Sequence, residues 1–286
     1  MTDGDGTFSI SLYKNHKCGL TFKISQSKVN AKLIYYIKEN LNCGKVEIFE
    51  DEVIFRIRDL LLLKNIILPI FDRNMLRSKK YYDYLKFKKV LNILINNPLG
   101  INRDNLILDI INQKEESMKN LSVYIINDKE QLSPIWLTPK VLNNIENFDF
   151  EYYNNILTKP WLIGFIEAGG SFYITKKDIN RYSHGFGITQ KKDKIILEGI
   201  KKILHIPSKV KNNTAGNFWS LDNTNNLVNF NFKDYFDGQF KGIKSVQFSI
   251  WSRTLIKSKN IKEPVERKEY LKNIQLKLQK LVVNNK

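Results

Sequence analysis

The sequence predicts an α+β protein of two pseudo-symmetric halves, each with a four-stranded antiparallel sheet covered by helices on one face. Three observations predict this fold. A short acidic, glycine-rich segment occurs twice, at residues 2–10 and 166–174. Each copy is followed by alternating apolar and polar residues, which is typical of half-buried strands. Apolar residues at helical spacing then follow in both halves, and the whole order repeats.

The first half begins with the acidic segment, predicted as a short helix, and continues with two hairpins and two helices. Alternating apolar residues predict a first hairpin over residues 8–24 and a second over residues 46–57. Apolar residues at helical spacing predict helices over residues 33–41 and 60–71. The predicted order is therefore αββαββα.

The second half repeats this order. Its predicted elements are a hairpin over residues 172–190, a helix over residues 195–204, a hairpin over residues 209–221 and a helix over residues 227–236. Charged residues alternate with apolar residues at helical spacing from Glu263 to Val283, which predicts a further helix packed on this half.

Length and repeat together predict the domain organisation. The 286 residues, 42% of them hydrophobic, suffice for two lobes with their own cores. We expect a first lobe at residues 1–95, a partly helical connection at residues 96–158 and a second lobe, with the last helix, at residues 159–286. No stretch of about 18 apolar residues occurs, so no membrane-spanning helix is expected.

Charge and cysteine usage restrict the class of function. Lys and Arg number 46 against 29 Asp and Glu, a formal net charge of +17, which favours a polyanionic partner. The cysteines, Cys18 and Cys43, lie far from each other and form no C-x-x-C pair, so neither a zinc site nor a disulfide framework is expected.

The second acidic segment has a recognisable form. Pro160 suits the first turn of a helix that continues through Leu162–Gly170, and these nine residues resemble the signature of the LAGLIDADG proteins, homing endonucleases and group I intron maturases. The first segment matches the last six signature positions and starts at Met1, so we expect the natural protein to extend upstream or to have been trimmed. The resemblance implies paired signature helices between the lobes and two sheets forming a nucleic-acid-binding saddle.

The eighth signature position carries a metal-binding acid in this family. It is Asp5 in the first half but Gly169 in the second, so the resemblance implies Asp5 as the catalytic and metal-binding acid and the loss of its counterpart. Cleavage of both strands uses divalent metals held by carboxylate oxygens from both halves. The implied cofactor is therefore Mg²⁺, at a site retained at most in part.

Other signature residues are expected at the helix interface. Gly164 and Ala168 lie four residues apart, and small side chains at this spacing let a partner helix approach closely. Glu167 corresponds to Asp3 at the sixth position and points about 200° away from the eighth, so it is a poor substitute for the missing acid. The expected interface residues are Asp3, Gly4, Gly164, Glu167 and Ala168.

Basic residues supply the remaining candidates. Lys80 and Lys244 align in the two halves, and the resemblance implies that each lies beside the active centre and stabilises phosphate charge or the attacking water. Residues in or beside the predicted strands suit contacts with a phosphate backbone. These are Lys14, Lys23, Arg56, Arg58, Lys176, Lys191, Lys209 and Lys211.

Gly169 decides between the two functions of the family. A maturase that binds its group I intron RNA and assists splicing can lose a metal ligand, whereas a Mg²⁺-dependent homing endonuclease acting on double-stranded DNA needs both acids. The sequence therefore favours a maturase, most similar to those encoded in fungal mitochondrial introns. The alternative is a homing endonuclease, inactivated or reduced to a nickase. Gly169 would also be explained by an engineered inactivation, since one base change converts a glutamate codon to glycine.

The expected partners follow from this choice. For a maturase we expect group I intron RNA, and for the alternative function double-stranded DNA. A second splicing protein is a further candidate partner, and no association with a membrane is expected. We expect a monomer with an internal pseudo-two-fold axis. Lys, Asn and Ile are abundant, as an AT-rich reading frame encodes, and together with the resemblance this predicts the mitochondrial matrix.

Overall fold

The chain was described from a computed structural model that covers residues 1–13, 17–97, 99–112, 125–126, 130–136 and 149–283. The first lobe is built from helices and strands in the predicted order. These are α1 (Thr2–Asp5), β1 (Gly6–Tyr13), β2 (Lys17–Ser27), α2 (Ala31–Leu41), β3 (Lys45–Ile48), β4 (Glu52–Ile57), α3 (Leu60–Leu62), α4 (Leu68–Arg73), α5 (Lys80–Asn96) and α6 (Ile101–Asn112).

A connection and the second lobe follow. The connection contains β5 (Ile125–Ile126), β6 (Glu130–Gln131) and α7 (Phe150–Ile156). The second lobe consists of α8 (Lys159–Gly169), β7 (Gly170–Lys176), β8 (Tyr182–Gln190), α9 (Lys194–Ile203), β9 (Lys211–Asn213), β10 (Phe218–Asn223), α10 (Asn226–Phe236), α11 (Ile243–Asn260) and α12 (Pro264–Val283). The predicted α+β class with two repeated lobes is confirmed.

The two four-stranded sheets have the same topology and register. Their strand orders are β1-β2-β4-β3 and β7-β8-β10-β9, with antiparallel neighbours throughout. Gly6 pairs with Ile24 in the first sheet, and Gly170 pairs with Ile188 in the second. Each residue of the first hairpin thus corresponds to the residue 164 positions later, and this offset identifies equivalent residues in the lobes.

Each sheet buries one face against helices because its apolar residues alternate along the strands. Phe8, Phe22 and Phe55 point into the first core, and Phe172 and Phe186 occupy the corresponding places in the second. Rings pack edge-to-face or tilted, with Phe8 and Phe22 centroids 5.2 Å apart and Phe172 and Phe186 centroids 5.3 Å apart. Among the described residues, no helix covers the opposite face of either sheet.

Segments from the predicted connection contribute to both cores. Ile107 and Ile110 of α6, a helix that the apolar spacing predicts, lie in the first core. Trp136, Tyr153 and Leu157 lie in the second core. The connection therefore does more than join the lobes, because its apolar residues are buried in each of them.

The structure differs from the sequence prediction in three helices and one strand. Helices α5 and α11 follow the predicted αββαββα units and were not predicted. The helix predicted at residues 60–71 contains a π-helical turn at Leu63–Ile67, just before Pro69, which has no N–H to donate to the preceding turn. The strand predicted at residues 209–211 begins only at Lys211, because the Ser208 hydroxyl donates to the Asp222 carbonyl where that strand would extend.

No helix within the described ranges has the length and apolarity that crossing a bilayer requires.

Burial of His184 in β8 makes the second lobe sensitive to acid. The ring is 2% exposed, its Nε2 lies 3.0 Å from Oγ1 of Thr254, and burial lowers its pKa from 6.5 to about 4. Between these values the unfolded chain binds a proton that the folded chain does not, so stability falls as the pH drops. We expect the free energy of unfolding to decrease by about 2 kcal/mol from neutral pH to about pH 5.

Denaturant unfolding at a series of pH values checks this expectation. His184→Gln keeps a side-chain donor for Thr254 but does not titrate in this range, so its loss of stability on acidification should be smaller than that of the wild type. An equally steep loss in the variant would assign the acid sensitivity to other groups.

Candidate active site between the two lobes

The two signature helices, α1 and α8, pack directly against each other. A Cβ atom added to Gly4 would overlap the Cβ atom of Ala168, and one added to Gly164 would lie 2.8 Å from the backbone nitrogen of Met1. Both added atoms would come closer than van der Waals contact. Small residues at these positions therefore allow the helix backbones to meet, as the spacing of Gly164 and Ala168 predicts.

This contact predicts a compensating pair of substitutions. Gly4→Ala places a methyl group against Ala168 and is expected to lower the free energy of unfolding by about 1–3 kcal/mol through overpacking. Gly4→Ala combined with Ala168→Gly exchanges the methyl group between the helices and should recover most of that loss. Denaturant unfolding of the two single variants and the double variant measures the coupling. Additive losses would mean that the two residues do not meet.

Asp5 lies at the end of α1, where the first lobe meets the second. Its carboxylate accepts a hydrogen bond from the side-chain amide of Gln26, at the end of β2. Burial raises its pKa, whereas the Gln26 hydrogen bond and the positive charges of Lys80 and Lys244 lower it. The structure thus brings together Asp5 and both predicted lysines, although these come from different lobes.

The two lysines begin the helices that were not predicted from sequence. Lys80 is the first residue of α5, and its Nζ donates to the carbonyls of Thr2, at 3.3 Å, and Gly4. Lys244 lies in the first turn of α11. Burial lowers the pKa of both lysines, and neighbouring carboxylates, Asp5 among them, oppose this effect. Two partly desolvated cations therefore interact electrostatically with Asp5 and with the acids around it, among them Glu167.

Gly169 occupies the position equivalent to Asp5, since the two residues are separated by the same 164 positions as the paired strands. Its neighbourhood does not require glycine. An added Cβ atom would lie 3.8 Å from the carbonyl oxygen of Thr189, which is an ordinary contact, and Gly169 is exposed. Gln190, the equivalent of Gln26, donates instead to Asp193 at 3.5 Å.

Asp3 holds the loop that leads to Lys80. Its Oδ1 accepts from the backbone N–H groups of Arg77, at 3.0 Å, and Ser78, at 2.8 Å, and from the Ser78 hydroxyl at 2.7 Å. Its Oδ2 accepts from Nε1 of Trp161 in α8, at 2.7 Å. Asp3 is 3% exposed, so this one carboxylate ties α1 to the loop before α5 and to the other signature helix.

Glu167 performs the equivalent task in the second lobe. Its Oε2 accepts from the backbone N–H of Lys241 at 2.8 Å, and its Oε1 accepts from that of Gly242 at 3.2 Å. Burial raises the pKa of Glu167, and these two hydrogen bonds and the charge of Lys244 oppose the rise. Because both oxygens are used, Glu167 is not placed to replace the missing acid at Gly169.

Side chains from one lobe also cap helices of the other. Oδ1 of Asn30 accepts from the backbone N–H of Ile243 at 2.8 Å, and the carboxylate of Asp193 accepts from that of Lys79 at 3.2 and 3.3 Å. The donors are equivalent residues, whereas the acceptors are not. Sequence analysis missed both caps and also missed Gln26, although the repeat offset relates Gln26 to Gln190 and could have found it.

Basic residues are distributed unequally over the uncovered sheet faces. Lys23, Arg56 and Lys45 are adjacent in register across the first sheet, and Arg56 forms an ion pair with Glu47 at 2.5 Å. Arg58 follows this sheet and is exposed. In the second lobe, exposed lysines are found at the ends of strands or beside them. These are Lys176, Lys191, Lys209 and Lys211; Lys14 lies outside the described residues.

The middle of the second sheet carries fewer charges. Tyr173 lies over Gly185, and its hydroxyl donates to Oδ1 of Asp222 at 3.1 Å, above Gly187. This surface therefore presents hydroxyl groups, glycines and one exposed carboxylate rather than a row of cations. The first sheet is the more suitable of the two for phosphate contacts.

The donor set suits a divalent metal only in part. Asp5 supplies one carboxylate, but Gly169 supplies none and Glu167 is engaged with backbone groups. No group of three or more His, Cys, Asp or Glu side chains within the described ranges could hold a metal ion. The side chains of this chain therefore do not provide the ligands for metal ions shared equally between the lobes.

Comparison with protein families gives a match over most of the chain. The model of a family described as LAGLIDADG endonuclease matches residues 1–91 and 162–255. Probable intron-encoded endonuclease Cox1-I1b of Schizosaccharomyces pombe is 36% identical over 288 aligned positions, which cover 97% of this chain and 68% of that protein. Probable intron-encoded endonuclease 2 of Neurospora crassa is 24% identical and covers 72% of this chain and 47% of its own length.

Solved structures show the same fold at lower identity. A variant of the meganuclease I-SmaMI superposes with a TM-score of 0.76 at 22% identity, covering 98% of this chain and 97% of that one. The LAGLIDADG homing endonuclease I-GzeII, solved with its DNA target, gives a TM-score of 0.74 at 24% identity and covers 96% and 94% of the two chains. I-SmaMI has also been solved with an uncleaved DNA target in the presence of calcium ions.

Proposed function

The chain belongs to the LAGLIDADG endonuclease family, and from this premise we propose that it is a maturase that has lost double-strand cleavage. In this proposal it binds its group I intron RNA and assists splicing. The observation that carries the proposal is Gly169, which stands where the second lobe needs a carboxylate to match Asp5. In this proposal Asp5, Lys80 and Lys244 keep their places, and the change at Gly169 removes one metal-binding carboxylate.

The retained residues support binding more than chemistry. Asp3 and Glu167 accept hydrogen bonds from the loops before α5 and α11 and so fix the starts of these helices, where Lys80 and Lys244 lie. This arrangement does not depend on cleavage of a DNA strand. A lysine in such a position stabilises phosphate charge. When bound, a divalent metal would supply charge neutralisation at the scissile phosphate; of the two acid positions, only Asp5 is available to hold it.

The alternative function is site-specific cleavage of double-stranded DNA. It is favoured by the names of the relatives, which are called probable intron-encoded endonucleases, and by the solved homing endonucleases with bound DNA. The first sheet, with Lys23, Arg56 and Lys45 in one row, suits a duplex backbone. Cleavage of one strand through Asp5 alone is an intermediate possibility. A mitochondrial location is supported by a further fungal relative, the mitochondrial protein RF1 of Saccharomyces cerevisiae, which is 25% identical and covers 80% of this chain and 40% of its own length.

One experiment separates these functions. Purified protein is mixed with Mg²⁺ and a plasmid that carries the intron-insertion sequence, and separately with the group I intron transcript under conditions where unaided splicing is slow. We expect tight RNA binding, faster splicing and little linear plasmid. Robust linearisation would establish the endonuclease instead, and conversion to nicked circles alone would establish the nickase.

A further inference from the structure

A basic groove lies on the second lobe, outside the active site. It has a volume of about 910 Å³ and opens between the turn of the β7–β8 hairpin, helix α10, the end of α11 and the start of α12. Lys176 pairs with Tyr182 at the closed end of that hairpin, whereas Gly170 at its other end adjoins the signature helix. Six residues of strand separate the two ends by about 20 Å, so the groove and the active site can be occupied together.

The walls of the groove are strongly cationic. Five basic side chains line it, and no aspartate or glutamate is among its lining residues. The five are Lys177, Arg181, Lys259, Arg267 and Lys268. The guanidinium of Arg267 donates to the backbone carbonyl of Ile261, at 2.9 Å from Nε, which fixes it without neutralising it. Arg181 forms an exposed ion pair with Asp178 at 3.1 Å, and screening by solvent makes such a pair weak.

The floor of the groove is apolar and partly aromatic. Its apolar and aromatic lining residues include Leu255, Leu271, Phe230 and Tyr182. The Nζ of Lys259 lies over the Phe230 ring, 5.1 Å from its centroid, so a cation and an aromatic ring are in direct contact there. Leu227, at its edge, is 78% exposed, which leaves apolar surface uncovered.

We propose that this groove binds an unpaired segment of the intron RNA. Cations that track a backbone and aromatic rings on which bases stack are the combination that recognises single-stranded nucleic acid. The bases of a duplex are already stacked on one another and could not reach the apolar floor, so the groove fits unpaired RNA better than paired DNA. The proposal rests on the maturase function proposed above and assigns its RNA-binding surface, apart from the sheet faces that suit duplex DNA.

The test compares two matched triple variants, each lacking three positive charges. The groove variant is Lys177→Gln/Arg267→Gln/Lys268→Gln, and the sheet variant is Lys23→Gln/Lys45→Gln/Arg56→Gln. Binding is measured by fluorescence anisotropy over a range of salt concentrations. The probes are an oligo(U) RNA of about 15 nucleotides, the group I intron transcript and a DNA duplex of about 20 base pairs.

We expect the groove variant to bind both RNAs at least about tenfold more weakly, with a salt dependence reduced by about two released counterions. Its binding of the DNA duplex should match that of the wild type. The sheet variant should show the reverse pattern. Phe230→Leu, which keeps an apolar side chain but removes the ring, should weaken oligo(U) binding about tenfold through lost stacking. Lysine-to-arginine and arginine-to-lysine changes at the same groove positions keep the charge and should retain RNA binding.

The possible results separate the two proposals. RNA binding that survives in the groove variant and disappears in the sheet variant overturns the groove while leaving the maturase function intact. A wild-type protein that binds the duplex but neither RNA overturns both. Equal losses for RNA and duplex in the groove variant, with unchanged thermal unfolding, would show a general effect of charge and also overturn the assignment.

Discussion

Gly169→Glu is expected to give a protein that cuts both strands of a duplex carrying the intron-insertion sequence, in the presence of Mg²⁺. We expect the rate of double-strand cleavage to rise at least about a hundredfold over the wild type, because a restored metal ligand is worth several kcal/mol of transition-state stabilisation. Linearised plasmid, resolved on an agarose gel over time, is the measurement.

The structure explains why one substitution should suffice. A Cβ atom at Gly169 would lie at ordinary contact distance from the Thr189 carbonyl oxygen, and the residue is exposed, so a side chain can be introduced here without a clash at its Cβ atom. Gln26 donates a hydrogen bond to Asp5 in the first lobe, and Gln190 is its equivalent in the second lobe, where it could serve a carboxylate at position 169. Lys80 and Lys244 are already in place beside Asp5. The new carboxylate would therefore enter a site whose other members are present.

Two controls make the result specific. Gly169→Gln has nearly the same shape but lacks the charge, and it should remain inactive. Gly169→Glu combined with Asp5→Asn should lose the regained activity. If the glutamate variant binds its duplex tightly and still does not cut it, the missing acid is not what limits cleavage. If it no longer recognises the duplex, DNA recognition has also been lost, and the protein acts on RNA alone.

Asp3→Ala should be the most destabilising change in the signature helices. Asp3 accepts four hydrogen bonds, from Arg77, from two groups of Ser78 and from Trp161, and it is buried. Removing its carboxylate leaves buried donors without acceptors, and each unsatisfied group costs about 1–3 kcal/mol. We expect the free energy of unfolding to fall by about 4 kcal/mol, within the range seen when one partner of a buried charged network is removed.

Chemical denaturation checks this value. Asp3→Asn keeps an acceptor for the Ser78 groups but turns an amide N–H₂ group towards Trp161, so its loss should be smaller. Glu47→Ala is the matched control, because Glu47 is an acidic residue paired with Arg56 on an uncovered sheet face and should lose less than about 1 kcal/mol. Equal losses at Asp3 and Glu47 would show that the Asp3 network contributes little to stability.

Much of the fold followed from local patterns in the sequence. The periods of strands and helices depend only on residues that are close in sequence. The alternating pattern over residues 8–24 and 172–190 therefore predicted the first hairpin of each lobe without knowledge of the packing. The helices α5 and α11 were missed because their apolar residues are not confined to one face. In α11, Phe248 and Trp251 are buried, whereas Val246 and Ile256 are exposed. Such a helix shows no single apolar stripe.

Part of the candidate site was also accessible from the sequence. The repeated signature pointed to Asp5 and Gly169, and alignment of the two halves pointed to Lys80 and Lys244. Their roles remain predictions. The structure adds that the charges of the two lysines act on Asp5. It also adds Gln26, which is of interest because it donates a hydrogen bond to Asp5, and no pattern along the chain indicates this contact.

The sequence by itself determined the two lobes, the family signature and the asymmetry between Asp5 and Gly169, because each depends on residue identity and spacing within one segment. The tertiary structure alone decided which side chains complete the site. Asn30 caps α11 and Asp193 caps α5 from positions that the repeat does not relate, although their donors, Ile243 and Lys79, are equivalent. Contacts between lobes depend on how two finished surfaces meet, and no local pattern along the chain records that geometry.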